Sequence, residues 1–156
     1  MCPTGSTSTR INSTACSKVA AGFIGGREVA TGGFSAKVAA PVFAVLTLSA
    51  QDGEPVAASS SLLLTALSRA ENSGLGWNEK RDSVGNQWGT GPVLALAVTA
   101  DITLQTGARQ ATVYALDNTG ARLQPIPSTL ADRRLSFHIG PEHKAVWYEI
   151  AAQHED

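Results

Sequence analysis

SLLLTALSRAENSGLGWNEKRDSVGNQWGTGP, residues 61–92, reads in two ways. Leu, Ala, Arg and Glu are good helix formers, so a helix competes over Ser61–Asn72. A strand is the better reading of its start. The segment follows Gln51-Asp52-Gly53-Glu54, and Asp-Gly is a favoured hairpin pair. Before that turn lies Val42–Ala50 (VFAVLTLSA), where Leu46 and Leu48 alternate with Thr47 and Ser49, the period of a half-buried strand. Pro41 marks its start, a position where a strand tolerates proline. Ser61–Ala70 is then its partner, and the run Leu62-Leu63-Leu64 predicts cover on both faces. Residues 71–91 follow as a 21-residue loop with five glycines. Loops of that length are uncommon in compact domains and are often functional.

The rest of the chain supports the strand reading. Lys18–Phe23, Glu28–Ala30 and Phe34–Val38 are short strands separated by glycine turns. Pro92–Val98 and Asp101–Leu104 follow the long loop. Ala111–Leu116, the turn Asp117–Gly120 and Ala121–Leu123 form a hairpin, and Pro125 and Pro127 are expected to interrupt pairing. Arg134–Ile139 alternates, Gly140–His143 turns, and Ala145–Ala151 closes the domain. Many short strands with Gly and Pro turns predict an all-β fold: a single antiparallel sandwich, immunoglobulin-like or jelly-roll-like, with one long Trp/Gly-rich loop. The expected organisation is a flexible leader with a first strand at Thr7–Asn12 (residues 1–17), the sandwich (18–152) and a tail (153–156).

The chain has 156 residues, 43% hydrophobic and 16% charged, with a net charge of −1. One domain of this size buries enough surface to fold without a staple. The absence of a basic excess argues against a nucleic-acid partner. No apolar run is long enough for a membrane helix. MCPTGSTSTR lacks the apolar core of a signal peptide and reads like the start of a fragment, so the compartment stays open. Cys2 and Cys16 are expected to be free thiols, with a bridge between them as the alternative.

Three kinds of residue carry chemistry. Trp77 and Trp88 lie in the long loop beside Asn78, Glu79, Arg81, Asp82, Asn86 and Gln87. An indole offers a broad apolar face and one donor. Sugar sites combine such a platform with amide and carboxylate partners. The same tryptophans also suit a plug that pins the loop to the sandwich. Trp147 is expected in the core between Val146 and Ile150. Glu71 and Glu79 are the candidate carboxylate pair for glycoside hydrolysis, with Asp82 and Asp101 behind them. Against that, Glu71 is expected to pair with Arg69 or Arg81 and order the loop. His138, His143 and His154 show no zinc spacing. No cofactor is expected, and calcium is the one ion the loop chemistry admits.

The 62–92 stretch also resembles C-terminal β-domains of large bacterial glycoside hydrolases of the cellulase-like type. The matching residues are Arg69, Glu71, Asn72, Ser73, Gly74, Trp77, Asn78, Ser83, Gly85, Trp88, Gly89 and Pro92. Ala21–Gly26, Tyr114–Asp117 and Trp147–Ile150 fit the same pattern, so the likeness covers about residues 18–151. In those enzymes the catalytic carboxylates are expected on a separate barrel. The resemblance therefore implies an accessory sandwich that packs on a catalytic domain or holds glycan, and it transfers no catalytic residue.

Three readings follow. The first is a carbohydrate-associated module that contacts glycan through 71–91, with Trp77 and Trp88 stacking and Asn78, Glu79 and Arg81 hydrogen-bonding. The second is a small glycosidase using Glu71 and Glu79. The third is a structural module whose orphaned apolar face pairs with a copy of itself.

Overall fold

The computed structural model describes residues 10–155. It is an all-β sandwich of two antiparallel sheets with a projecting hairpin. The strands are β1 (Arg10–Ser13), β2 (Ser17–Gly22), β3 (Arg27–Thr31), β4 (Phe34–Ala40), β5 (Ala44–Ala50), β6 (Ser61–Leu67), β7 (Ala70–Ser73), β8 (Thr90–Ala95), β9 (Thr99–Gln105), β10 (Gln110–Leu116), β11 (Arg122–Ile126), β12 (Ser128–Ala131), β13 (Arg134–Ile139) and β14 (Trp147–Gln153). One sheet has the order β1-β2-β5-β6-β14-β10-β11 and the other β12-β13-β9-β4-β3, while β7 and β8 pair only with each other.

The inner faces follow from period-2 alternation. Leu46 and Leu48 of β5, Leu62 and Leu64 of β6, and Tyr148 and Ile150 of β14 point into the core from the larger sheet. Ile102, Leu104, Leu135 and Ile139 meet them from the smaller one. Leu63 lies between two buried leucines on the opposite, half-buried face, so the triple leucine covers its second face only in part. Tyr148 is buried and its hydroxyl donates to the Ala145 carbonyl at 3.1 Å. Desolvation, reinforced by the nearby Glu142 charge, pushes its pKa up to about 12.

Several expectations change. Trp147 is not in the core. Alternation along β14 places Tyr148 and Ile150 inward and Trp147 outward, 36% exposed; Trp147 and Ile150 are three residues apart and therefore on opposite faces. Val42 and Phe43 precede β5 and are exposed. Pro127 separates β11 from β12, as expected, whereas Pro125 stays paired beside a register shift between Tyr114 and Leu116. It lies within β11 opposite Tyr114, tolerated because β11 is an outer strand. Strand β12, unforeseen in the sequence, forms a hairpin with β13 through Asp132 and Arg133, at φ 50° and 59°. The first strand is placed at Arg10–Ser13 and pairs with β2; Thr7–Thr9 and Cys2 lie outside the described residues. Cys16 is an exposed free thiol.

The Asp52-Gly53 pair is not a tight hairpin turn. A longer connection over 51–60 joins β5 to β6, organised by the Asp52 carboxylate. It accepts hydrogen bonds from Ser59 Oγ (2.8 Å), the Ser60 amide (2.8 Å) and hydroxyl (3.0 Å), and the Glu54 amide (3.1 Å). Desolvation opposes ionisation, but these donors outweigh it and hold the carboxyl well below the usual carboxylate range.

Two outcomes follow. Leu64→Ala, at a fully buried site, should lower unfolding free energy by about 2–5 kcal/mol in urea denaturation. A folded-state pKa below the unfolded value stabilises above the unfolded value and ceases to do so as pH falls. Asp52→Asn should therefore lower Tm at neutral pH, and the gap to the wild type should narrow as pH drops below the ordinary value of 3.8.

Candidate functional site

The 71–91 segment is not a structureless loop. Its ends are strands. Ala70↔Ala95, Glu71↔Leu94 and Asn72↔Val93 face each other in a two-stranded arm, and the register shifts before Ser73↔Thr90. The arm leaves the sandwich after β6, where the Ser68 amide donates to the Leu96 carbonyl (3.4 Å) and the Leu96 amide to the Arg69 carbonyl (2.8 Å). All six residues of β8 are exposed, because neither sheet covers them.

The tip, residues 74–89, carries its own hydrogen bonds. The Gly76 amide donates to Gln87 O at 2.9 Å, the Asn78 amide to Ser83 O at 2.9 Å and the Gln87 amide to Val84 O at 2.8 Å. Asn72 Nδ2 donates to Trp88 O at 3.0 Å, and Ser73 Oγ to Pro92 O at 2.9 Å. Gly89 has φ +68°, and a Cβ there would collide with Ser73 O and lie 2.8 Å from Leu75 N. Only glycine fits both demands.

Glu71 is the hub of the arm. Its Oε1 faces Arg69 Nε at 3.2 Å and Arg81 Nη2 at 3.4 Å, and accepts from Trp77 Nε1 at 3.3 Å. The sequence offered Arg69 or Arg81 as partner; the fold uses both. These groups are partly exposed, so each pair contributes only about 0–1 kcal/mol. Their combined effect is to fix the tip against the stem. Arg81, held at φ 55°, also places its guanidinium 5.4 Å from the centre of the Trp77 ring.

The predicted site residues thus divide by role. Trp77 has its donor engaged and Arg81 over its ring. Asn78 is used inside the loop, with Nδ2 donating to Asp82 Oδ1 at 2.7 Å and Oδ1 accepting the Asp82 amide at 3.1 Å. Trp88 is the open platform, 65% exposed. Trp77 and Trp88 line one open groove of about 510 Å³ with Leu75, Asp82, Ser83, Val84 and Gly85. Glu71 lines a different groove, with Arg69, Asn72 and Leu94–Leu96, which does not include Glu79. Glu79 is exposed.

The sequence reading missed how apolar this end of the sandwich is. Phe23 and Phe43 stack edge to face with centroids 5.6 Å apart. Val42, Trp147 and, on the arm, Val93, Leu94 and Leu96 are also exposed. The register explains the clustering. Gly22↔Ala44, Val45↔Leu67 and Trp147↔Thr65 bring the ends of β2, β5, β6 and β14 to one end of the larger sheet. Between β8 and residues 144–147 runs a further open groove of about 550 Å³, with Trp147 and Leu116 in its wall. The uncharged apolar run Val93-Leu94-Ala95-Leu96 was the available signal.

His138 Nδ1 lies 2.8 Å from Asp101 Oδ1, and His143 Nε2 lies 3.3 Å from Glu142 Oε1. Among the described residues no group of three or more His, Cys, Asp or Glu side chains is placed to hold a metal ion. Comparison with protein-family models, curated proteins and solved structures finds no match to the chain.

Glu71→Gln should leave the global melting transition within about 1 kcal/mol of the wild type. It should speed hydrogen exchange at the Gly76 and Asn78 amides and shift Trp77 fluorescence. Gly89→Ala should disturb the same tip amides more strongly.

Proposed function

We propose that this protein is a carbohydrate-associated β-sandwich module related to glycoside hydrolases, contacting glycan through the tip of its arm. The observation that carries the reading is the pair Trp77 and Trp88 along one solvent-open groove, on a loop braced by Glu71 and its own backbone bonds. A rigid loop loses little entropy when it binds. Trp77 and Trp88 are both exposed and line one groove, and contiguous exposed apolar surface marks interaction sites.

The roles are narrower than the sequence suggested. Trp88 is the stacking platform. Trp77 forms the groove wall and offers the ring face left by Arg81. Glu79 and Asp82 supply acceptors for sugar hydroxyls, while Asn78 acts as a loop brace and Arg81 holds Trp77. The resemblance to cellulase-like C-terminal domains fits such a module, and also fits its packing on a catalytic domain. The glycosidase reading receives less support, because Glu71 is occupied by three donors and Glu79 does not line its groove.

Titration of soluble glucan, mannan and xylan oligosaccharides against tryptophan fluorescence tests this. Binding should weaken about tenfold or more in Trp88→Ala, equivalent to about 1.4 kcal/mol, with the melting temperature unchanged. Asn78→Ala should act through loop order, changing affinity and tip exchange together. Absence of binding across the oligosaccharides would sink the reading. Turnover of aryl glycosides lost in Glu71→Gln would replace it with the enzyme.

A further inference from the structure

We infer that strand β8 is a self-pairing edge, and that two copies of the chain associate through their arms. The first observation is the strand's chemistry. Residues 90–97, TGPVLALA, carry no charge, and all of β8 is exposed. An unpaired edge is a template for another strand, and proteins normally guard it with charge, proline or brevity. The other outer strands are guarded: β3 by Arg27 and Glu28, β11 by Arg122 and Pro125, β7 by Glu71, and β1 and β12 by their four-residue length. In β8 the one guard, Pro92, turns its carbonyl to Ser73 on the β7 side.

The second observation is register. The amide and carbonyl of Leu96 both bond toward the β7 side of the arm. Alternation then turns Val93 and Ala95 outward, with their donors and acceptors unpaired by β7. Antiparallel pairing about a two-fold axis at Leu94 sets Val93 of one copy against Ala95 of the other, a reciprocal hydrogen-bonded pair on each side of the axis. Leu94 then meets its own copy in a non-hydrogen-bonded pair, where Cα atoms approach to about 4.5 Å. The interface is isologous and closes as a dimer.

The third observation is apolar exposure: Val93 is 63%, Leu94 59% and Leu96 42% exposed, on a stem that neither sheet covers. The partner arm enters beside the groove walled by Trp147 and Val146, which gives its apolar side chains a surface to cover.

The test uses the full chain with Cys2→Ser and Cys16→Ser. Sedimentation equilibrium should show a concentration-dependent dimer. Val93→Lys with Ala95→Lys should weaken it about tenfold or more without changing the melting temperature, since both positions are on the exposed arm. Leu94→Cys should form a disulfide-linked dimer under mild oxidation, because about 4.5 Å lies in the range a bridge spans. Phe43→Cys, outside the proposed contact, should not. A chain that stays monomeric at all concentrations overturns the inference. So does a dimer that keeps its affinity in the lysine variant, or one that Phe43→Cys cross-links as readily as Leu94→Cys.

Discussion

Everything in this molecule depends on two inner sheet faces excluding water from each other. Leu46, Leu48, Leu62, Leu64, Tyr148 and Ile150 face Ile102, Leu104, Leu135 and Ile139, each almost wholly buried. Burying side chains of this size stabilises by about 1.5–3 kcal/mol apiece. Because strand side chains alternate, this requirement fixes what faces outward as firmly as what faces inward. Burying Tyr148 sends Trp147 to the surface. Placing Leu64 in the core leaves Leu63 and Thr65 on the outer face.

The arm follows different physics. Its strands have no second layer, so hydrophobic burial does not hold them. Short polar bonds do: Glu71 to two arginines and an indole, Asn72 to Trp88, Ser73 to Pro92, and Asn78 across its own turn. Arg69, Glu71, Asn72, Ser73, Asn78 and Gly89 are largely the residues that build this loop. They fix its shape and leave Trp88 facing solvent. One scaffold thus supports two surfaces, the polar-rimmed groove at the tip and the apolar stem.

Sequence periodicity located most of the strands because a half-buried strand writes its burial as alternation. Arg134–Ile139 and Ala111–Leu116 show this clearly. It failed where alternation was absent or its phase was misjudged. Short β12 has no buried residue, only Leu130 half-buried, and no flanking glycine. Asp52-Gly53 has the composition of a tight turn, but the carboxylate instead gathers Ser59 and Ser60 from across a longer connection. Trp147 faces outward although Val146 and Ile150 lie close to it in sequence, because strand parity decides the face.

By itself the sequence determined the fold class, the site of the long excursion and the identity of its charged hub, since these rest on local pattern and on residue types with few alternatives. Only the tertiary structure decided which partners Glu71 takes, that Glu79 does not line its groove, and that Trp88 is open while Trp77 is braced. It alone gathered Phe23, Phe43, Trp147, Leu94 and Leu96 at one end. Those residues are far apart in the chain, and what joins them is strand register, set by the packing of all the strands together.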